Sequence, residues 1–159
     1  MNKKLVSQFG LILFMSFLSL AHAQSKVMVN ADSTVSINGT KVFPISVYIQ
    51  SDWPGVKDLG VNAVSRPFCA NSGAVSQAEN YSLYLHYTAG PGCDYENATA
   101  IKNRNTSIFQ QSVNQAKNSN WLFGYGLPDE PKSATGLSGA DTKWAYDLIK
   151  STDPIIRYF

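Results

Sequence analysis

Charge is scarce in this sequence. Asp, Glu, Lys and Arg make up 15% of its 159 residues, and the formal surplus of +2 is supplied by Lys3 and Lys4. Beyond those two, eleven basic residues face eleven acidic ones, so the rest of the chain is neutral. The basic footprint that nucleic acid or anionic lipid requires is therefore missing. Histidine is scarcer still, with only His22 and His86. If His22 is lost with a leader, a multi-histidine zinc site is excluded and a Ser-His-Asp triad would have to use His86. The two cysteines, Cys69 and Cys93, lack a CxxC spacing, which gives no support to metal binding or thiol redox catalysis. No Gly-x-Gly-x-x-Gly, Walker loop or heptad is present, so no cofactor and no metal are expected.

Only one long apolar run occurs, Phe9 to Leu20, and it has the form of a leader. Lys3 and Lys4 precede it, and Ala21-His22-Ala23 supplies the small-x-small pattern that a signal peptidase reads. The run is shorter than a bilayer span needs. Residues 1–23 are thus expected to be a bacterial-type signal peptide cleaved near Ala23, with a soluble mature chain in the periplasm or outside the cell. That compartment permits disulfides. Cys69 and Cys93 each come shortly after a predicted strand and are expected to pair, closing a loop worth about 3 kcal/mol in the chain-entropy model. Two unpaired thiols are the alternative.

Beyond the leader, the chain alternates between strand and helix patterns. Residues 24–43 read as an N-terminal strand and a β-hairpin: Thr34 to Ile37 and Thr40 to Phe43 flank Asn38-Gly39, the pair a type I′ turn favours. Pro44 interrupts the ladder, so the hairpin is expected to be a lid or cap, and Ile45 to Ile49 is the first core strand. Ser51 or Asp52 can cap a short helix to Leu59, ahead of Gly60. Strands are expected at Val61–Arg66, Ser82–Thr88 and Trp121–Leu127, and the start of another at Ile155–Phe159. Between them come a brief helix at Ala74–Asn80, a polar helix clearest over Ser107–Lys117, and a helix at Ala140–Lys150. This rhythm argues for an α/β fold of parallel βαβ units with right-handed crossovers. A closed eight-stranded barrel needs about 250 residues. Residues 44–159 are expected to be the first half of a TIM-type (β/α) barrel, ending within a strand, as a truncation would. Open parallel edges would favour self-association.

Trp121 to Pro131 is the most informative stretch: an uncharged aromatic run ends in two adjacent carboxylates, Asp129 and Glu130, and a proline. Two readings are open. One is a buried strand that delivers acids to its C-terminal tip, where parallel α/β proteins carry their chemistry. The other is an acidic helix start with proline in its first turn.

The order of these features resembles the N-terminal half of (β/α)8-barrel glycoside hydrolases, within them the retaining, cellulase-like and β-galactosidase-like superfamily. The resemblance rests on the hairpin running into Phe43-Pro44-Ile45-Ser46-Val47-Tyr48, then Leu59-Gly60-Val61-Asn62-Ala63-Val64, Gly124-Tyr125-Gly126-Leu127-Pro128-Asp129-Glu130-Pro131 and Asp153-Pro154. It covers most of residues 34–154, and the stretch ending in Pro131 is its specific part. It implies hydrolysis of O-glycosidic bonds in an oligo- or polysaccharide by a retaining two-carboxylate mechanism, with Glu130 as acid/base. It implies further that Arg66 supports the nucleophile, that His86 binds substrate, and that the nucleophile belongs to a seventh strand, which this chain lacks. Asp129 stands where most relatives carry an asparagine that bonds the sugar 2-hydroxyl. An aspartate accepts that bond but cannot donate one, and its charge would favour the protonated form of Glu130.

Each residue also has a plainer role. Arg66 could pair with a neighbouring carboxylate, and His86 could be a satisfied rim histidine. Tyr48, Trp53, Phe68 and Tyr87 fall near predicted strand ends, where aromatic faces stack on sugars, or else they pack. Trp121 and Trp144 are expected to pack. Asp129 and Glu130 point to opposite faces of an extended strand, so Glu130 needs a catalytic partner from elsewhere. The competing functions are a non-catalytic carbohydrate-binding pseudoenzyme and an unrelated α/β interaction domain, in which Glu130 would lie on a solvated helix start.

Overall fold

The computed structural model describes residues 25–48, 52–65, 73–92, 94–128 and 135–155. The chain begins with a three-stranded antiparallel sheet formed by β1 (Val27–Val29), β2 (Val35–Ile37) and β3 (Thr40–Val42). Ile37 pairs with Thr40 across a two-residue turn, and Asn38 and Gly39 both take positive φ, 52° and 82°. Those are the torsions that an Asn-Gly type I′ turn requires. Asp32 anchors the preceding turn, accepting from the Thr34 hydroxyl at 2.6 Å and from Lys41 Nζ at 2.7 Å.

Four parallel strands come next: β4 (Ser46–Tyr48), β5 (Ala63–Ser65), β6 (Tyr84–Thr88) and β7 (Leu122–Gly126), side by side in sequence order. Five helices connect or succeed them: α1 (Trp53–Asp58), α2 (Ala74–Tyr81), α3 (Asp94–Lys102), α4 (Thr106–Ala116) and α5 (Gly139–Thr152). When each crossover is right-handed and moves one strand along, every helix comes to lie on the same face. The core agrees with this. Val64, Leu83, Leu85 and Tyr87 are buried together with Val56, Ala78, Ile101, Phe109, Val113 and Ile149 from the helices. The alternate strand positions Ser46, Tyr48, Ser65, Tyr84 and His86 are exposed or half-buried.

Local chemistry sets the helix ends. Asp52 Oδ1 accepts from Gly55 N–H at 3.0 Å and caps α1, with Pro54 in the first turn. α2 runs one residue past the expected Asn80 and stops at Ser82, whose φ of 53° lets Leu83 N–H reach back to Ala78 O at 3.0 Å. The polar helix expected over Ser107–Lys117 has a separate helix, α3, ahead of it. Arg104 takes a left-handed φ of 52°, Asn105 caps α4, and the Arg104 guanidinium donates to Ile101 O and Asp141 while lying 5.1 Å from the Trp144 ring. Trp144 also meets Phe109 edge-on, and Trp121 packs on Tyr84, so both tryptophans pack as expected. α5 opens with a capping box in which Ser138 and Asp141 exchange bonds. The buried Asp153 accepts from the Tyr125 hydroxyl at 2.9 Å and ties the end of α5 to β7.

The hairpin expected to act as a lid or cap docks at the opposite end from the strand C-termini. Asn38 Nδ2 donates to Asn120 O at 3.2 Å, just before β7, and Ser25 Oγ donates to Leu122 O. Asn62, just before β5, holds the link to β4 by donating to Phe43 O and accepting from Ile45 N–H. Val27 and Ile37 are both buried in this arrangement. Among the described residues, no helix is long and apolar enough to cross a membrane. Most of the expected strand at Ile155–Phe159 lies outside them; Ile155 itself sits in a bend.

Glycine geometry and two ordered carboxylates make stability testable. Gly39→Ala places a Cβ in open space at φ +82° and should cost about 1 kcal/mol in urea unfolding. Gly90→Ala, at φ +104° with Asn97 Nδ2 and Phe109 Cζ both 2.7 Å from the new Cβ, should cost about 3 kcal/mol. Acid unfolding probes the carboxylates. Lys41 and Thr34 hold Asp32, and Ser138 and Arg104 hold Asp141, from 3.8 down to about 2. A depressed folded pKa gives stability that is present above the unfolded value and lost as pH falls through the folded one. Asp32→Asn with Asp141→Asn should therefore flatten the stability profile below about pH 4, measured by urea midpoints.

Candidate functional site

Pairing register aligns one residue from each parallel strand into a row. Tyr48 pairs with Ser65, Ser65 with His86, and His86 with Gly124. At the usual strand spacing this row spans about 14 Å. It lies on the face opposite the described helices, close to the strand C-termini. The next row up is Thr88 beside Gly126.

Both ends of the row have chemical character. Tyr48 is 70% exposed on the outer strand of the described sheet and offers an aromatic face. At the other end Gly124 has no side chain, and a Cβ there would sit 3.7 Å from His86 Cδ2. The imidazole therefore lies directly beside a bare stretch of backbone. The pairing slips between Leu85 and His86, because Leu85 faces Leu122 while His86 faces Gly124. Phe123 is the extra residue of this bulge, a device that turns side chains at strand ends and is frequent beside sites. Ser65 Oγ donates to Ser46 Oγ at 3.1 Å, which keeps the middle of the row polar.

β7 ends at Gly126, and Leu127 and Pro128 lead directly into Asp129 and Glu130. Asp129, Glu130, Arg66, Phe68, Cys69 and Cys93 lie outside the described residues. The expected Cys69–Cys93 bridge and the roles of the two acids and Arg66 therefore stand as sequence expectations. Two of the aromatic residues take the packing alternative. Trp53 is 8% exposed at the start of α1, within the apolar core, which leaves little ring surface for a ligand. Tyr87 points to the helix side, where its ring meets Tyr125 at 6.5 Å. The alternation that put Tyr84 and His86 opposite Leu83, Leu85 and Tyr87 is observed.

Ser65 and Gly124 were not among the residues expected from the sequence. Gly124 does carry a signal there, since a Gly-x-Gly pattern inside a strand marks a bulge or a close approach. Among the described residues, no group of three or more His, Cys, Asp or Glu could hold a metal ion. No protein-family model matches the chain, and no curated protein matches it.

The contrast between the two aromatic residues can be measured. Tyr48→Ala should change stability by less than about 0.5 kcal/mol. Trp53→Ala should cost about 3–5 kcal/mol, and paired urea titrations distinguish them.

Proposed function

We propose that this chain is the N-terminal part of a glycoside-hydrolase-like (β/α) barrel, acting on O-glycosidic bonds of an oligo- or polysaccharide with retention. The observation that carries the reading is the exit of β7. The fourth strand of a parallel sheet wound strand by strand runs out through Leu127-Pro128 into Asp129-Glu130. Next to that exit, the His86 ring and the bare Gly124 backbone adjoin on the face opposite the described helices. The sequential order of the strands is the order that a TIM-type barrel repeats.

In this reading Glu130 protonates the leaving oxygen and then activates water, as a retaining acid/base does. Tyr48 offers a stacking face, while His86 and Asp129 bond sugar hydroxyls. Arg66 supports a nucleophile on a seventh strand, and that second carboxyl must lie about 5–5.5 Å from the first. The described sheet has four parallel strands, of which β7 is the one that leads to Glu130. The leader pattern adds export from the cytoplasm. Phe43 and Ile45, 81% and 52% exposed just before the outer strand β4, add self-association through that edge.

The second reading is a carbohydrate-binding pseudoenzyme of the same fold, favoured by the departure at Asp129 from the usual asparagine. Both readings are tested on the protein encoded by the whole reading frame. With the first, aryl β-glycosides are hydrolysed and Glu130→Gln lowers the rate by about 10²–10⁴-fold. Sugar binding without hydrolysis selects the second. Turnover by residues 1–159 alone, or no sugar binding by any form, overturns the proposal.

A further inference from the structure

On the helix side of β6, away from the row that contains His86, a cavity of about 190 Å³ opens between the loop after β6 and α4. Tyr87, Gly90, Pro91, Ile108, Gln111, Ser112 and Gln115 line it. Residues 108, 111, 112 and 115 are one stripe of α4, spaced three and four apart, so a single helix face presents them together. The opposite wall is fixed. Gly90 N–H donates to the buried Ser112 Oγ at 3.0 Å, and Asn97 Nδ2 donates to Ala89 O at 2.6 Å just before it. The Tyr87 hydroxyl donates to Gln115 Oε1 at 3.3 Å across the floor.

The composition of this lining restricts what can occupy it. Among the described residues that line it there is no carboxylate, ammonium or guanidinium, so neither an anion nor a cation finds a counter-charge from them. The Gln111 and Gln115 carboxamides supply both donors and acceptors, while the Tyr87 and Ser112 hydroxyls already donate to Gln115 Oε1 and Gly90 O. Pro91 and Ile108 supply apolar walls that suit the C–H faces of a ring. Pockets for drug-sized molecules hold about 300–1,000 Å³, so this cavity admits one ring and not a chain of them. We infer that the cavity is a binding site for a single neutral, polyhydroxylated ring such as a monosaccharide unit, separate from the strand-end site. Gln111 and Gln115, both exposed, are its adjustable contacts, and Ser112 with Gly90 is its fixed wall. The lining alone defines this site, whatever the role of Glu130.

Amide chemical-shift mapping with D-glucose, and with inorganic phosphate as a charged control, tests the inference. Saturable shifts at Gly90, Gln111, Ser112 and Gln115 are expected with glucose and not with phosphate. Gln111→Ala with Gln115→Ala should weaken the glucose response about tenfold, as two lost hydrogen bonds would. Glu130→Gln should leave it unchanged. Absence of shifts at these residues, equal shifts with phosphate, or a response untouched by the double substitution would overturn it. Shifts confined to Tyr48, His86 and Gly124 would overturn this inference while leaving the strand-end reading standing.

Discussion

One-sided burial of a parallel sheet is the constraint on which the rest of this structure depends. Four strands lie in sequence order, and the connecting helices pack against Val64, Leu83, Leu85 and Tyr87. The described helices pack on that face, and Tyr48, Ser65, His86 and Gly124 form a row on the other, exposed at Tyr48, half-buried at Ser65 and His86 and buried at Gly124. The apolar packing that stabilises the fold therefore also selects which residues remain available for chemistry.

The two ends of the sheet divide the remaining tasks. At the N-terminal end the antiparallel sheet lays Val27 and Ile37 into the core and bonds to Asn120 and Leu122. At the C-terminal end the loops carry the singular features: a left-handed Gly90 close to Asn97 and Phe109, and the exit of β7 through Pro128. Stability is concentrated in the layer of helices, where Arg104 links α3, α5 and Trp144.

Much of this was legible in the sequence where a local rule had a physical cause. Asn38-Gly39 forms its turn because both torsions are positive, and Asp52 caps α1 because its side chain reaches Gly55 N–H. The alternation in β6 named the buried residues correctly because a strand alternates its faces. The rest depended on tertiary contacts that no local pattern contains. The place of the hairpin comes from bonds to residues about eighty positions away, such as Asn38 to Asn120. Trp53 sits in the core although it lies just past a strand end, because α1 folds back at once and carries it inward. The one-residue slip at Phe123 arises from pairing with β6, and only the Gly-x-Gly pattern hinted at it.

If Glu130 is the proposed acid/base, its carboxyl faces sugar at the C-terminal end of the sheet. A crystal structure with a bound β-linked oligosaccharide tests it most directly. The expected result is a sugar ring over the Tyr48 to Gly124 row, with the Glu130 carboxyl within hydrogen-bond distance of the glycosidic oxygen. A Glu130 side chain turned onto the backbone N–H groups of a following helix, in solvent and away from any sugar, would contradict it.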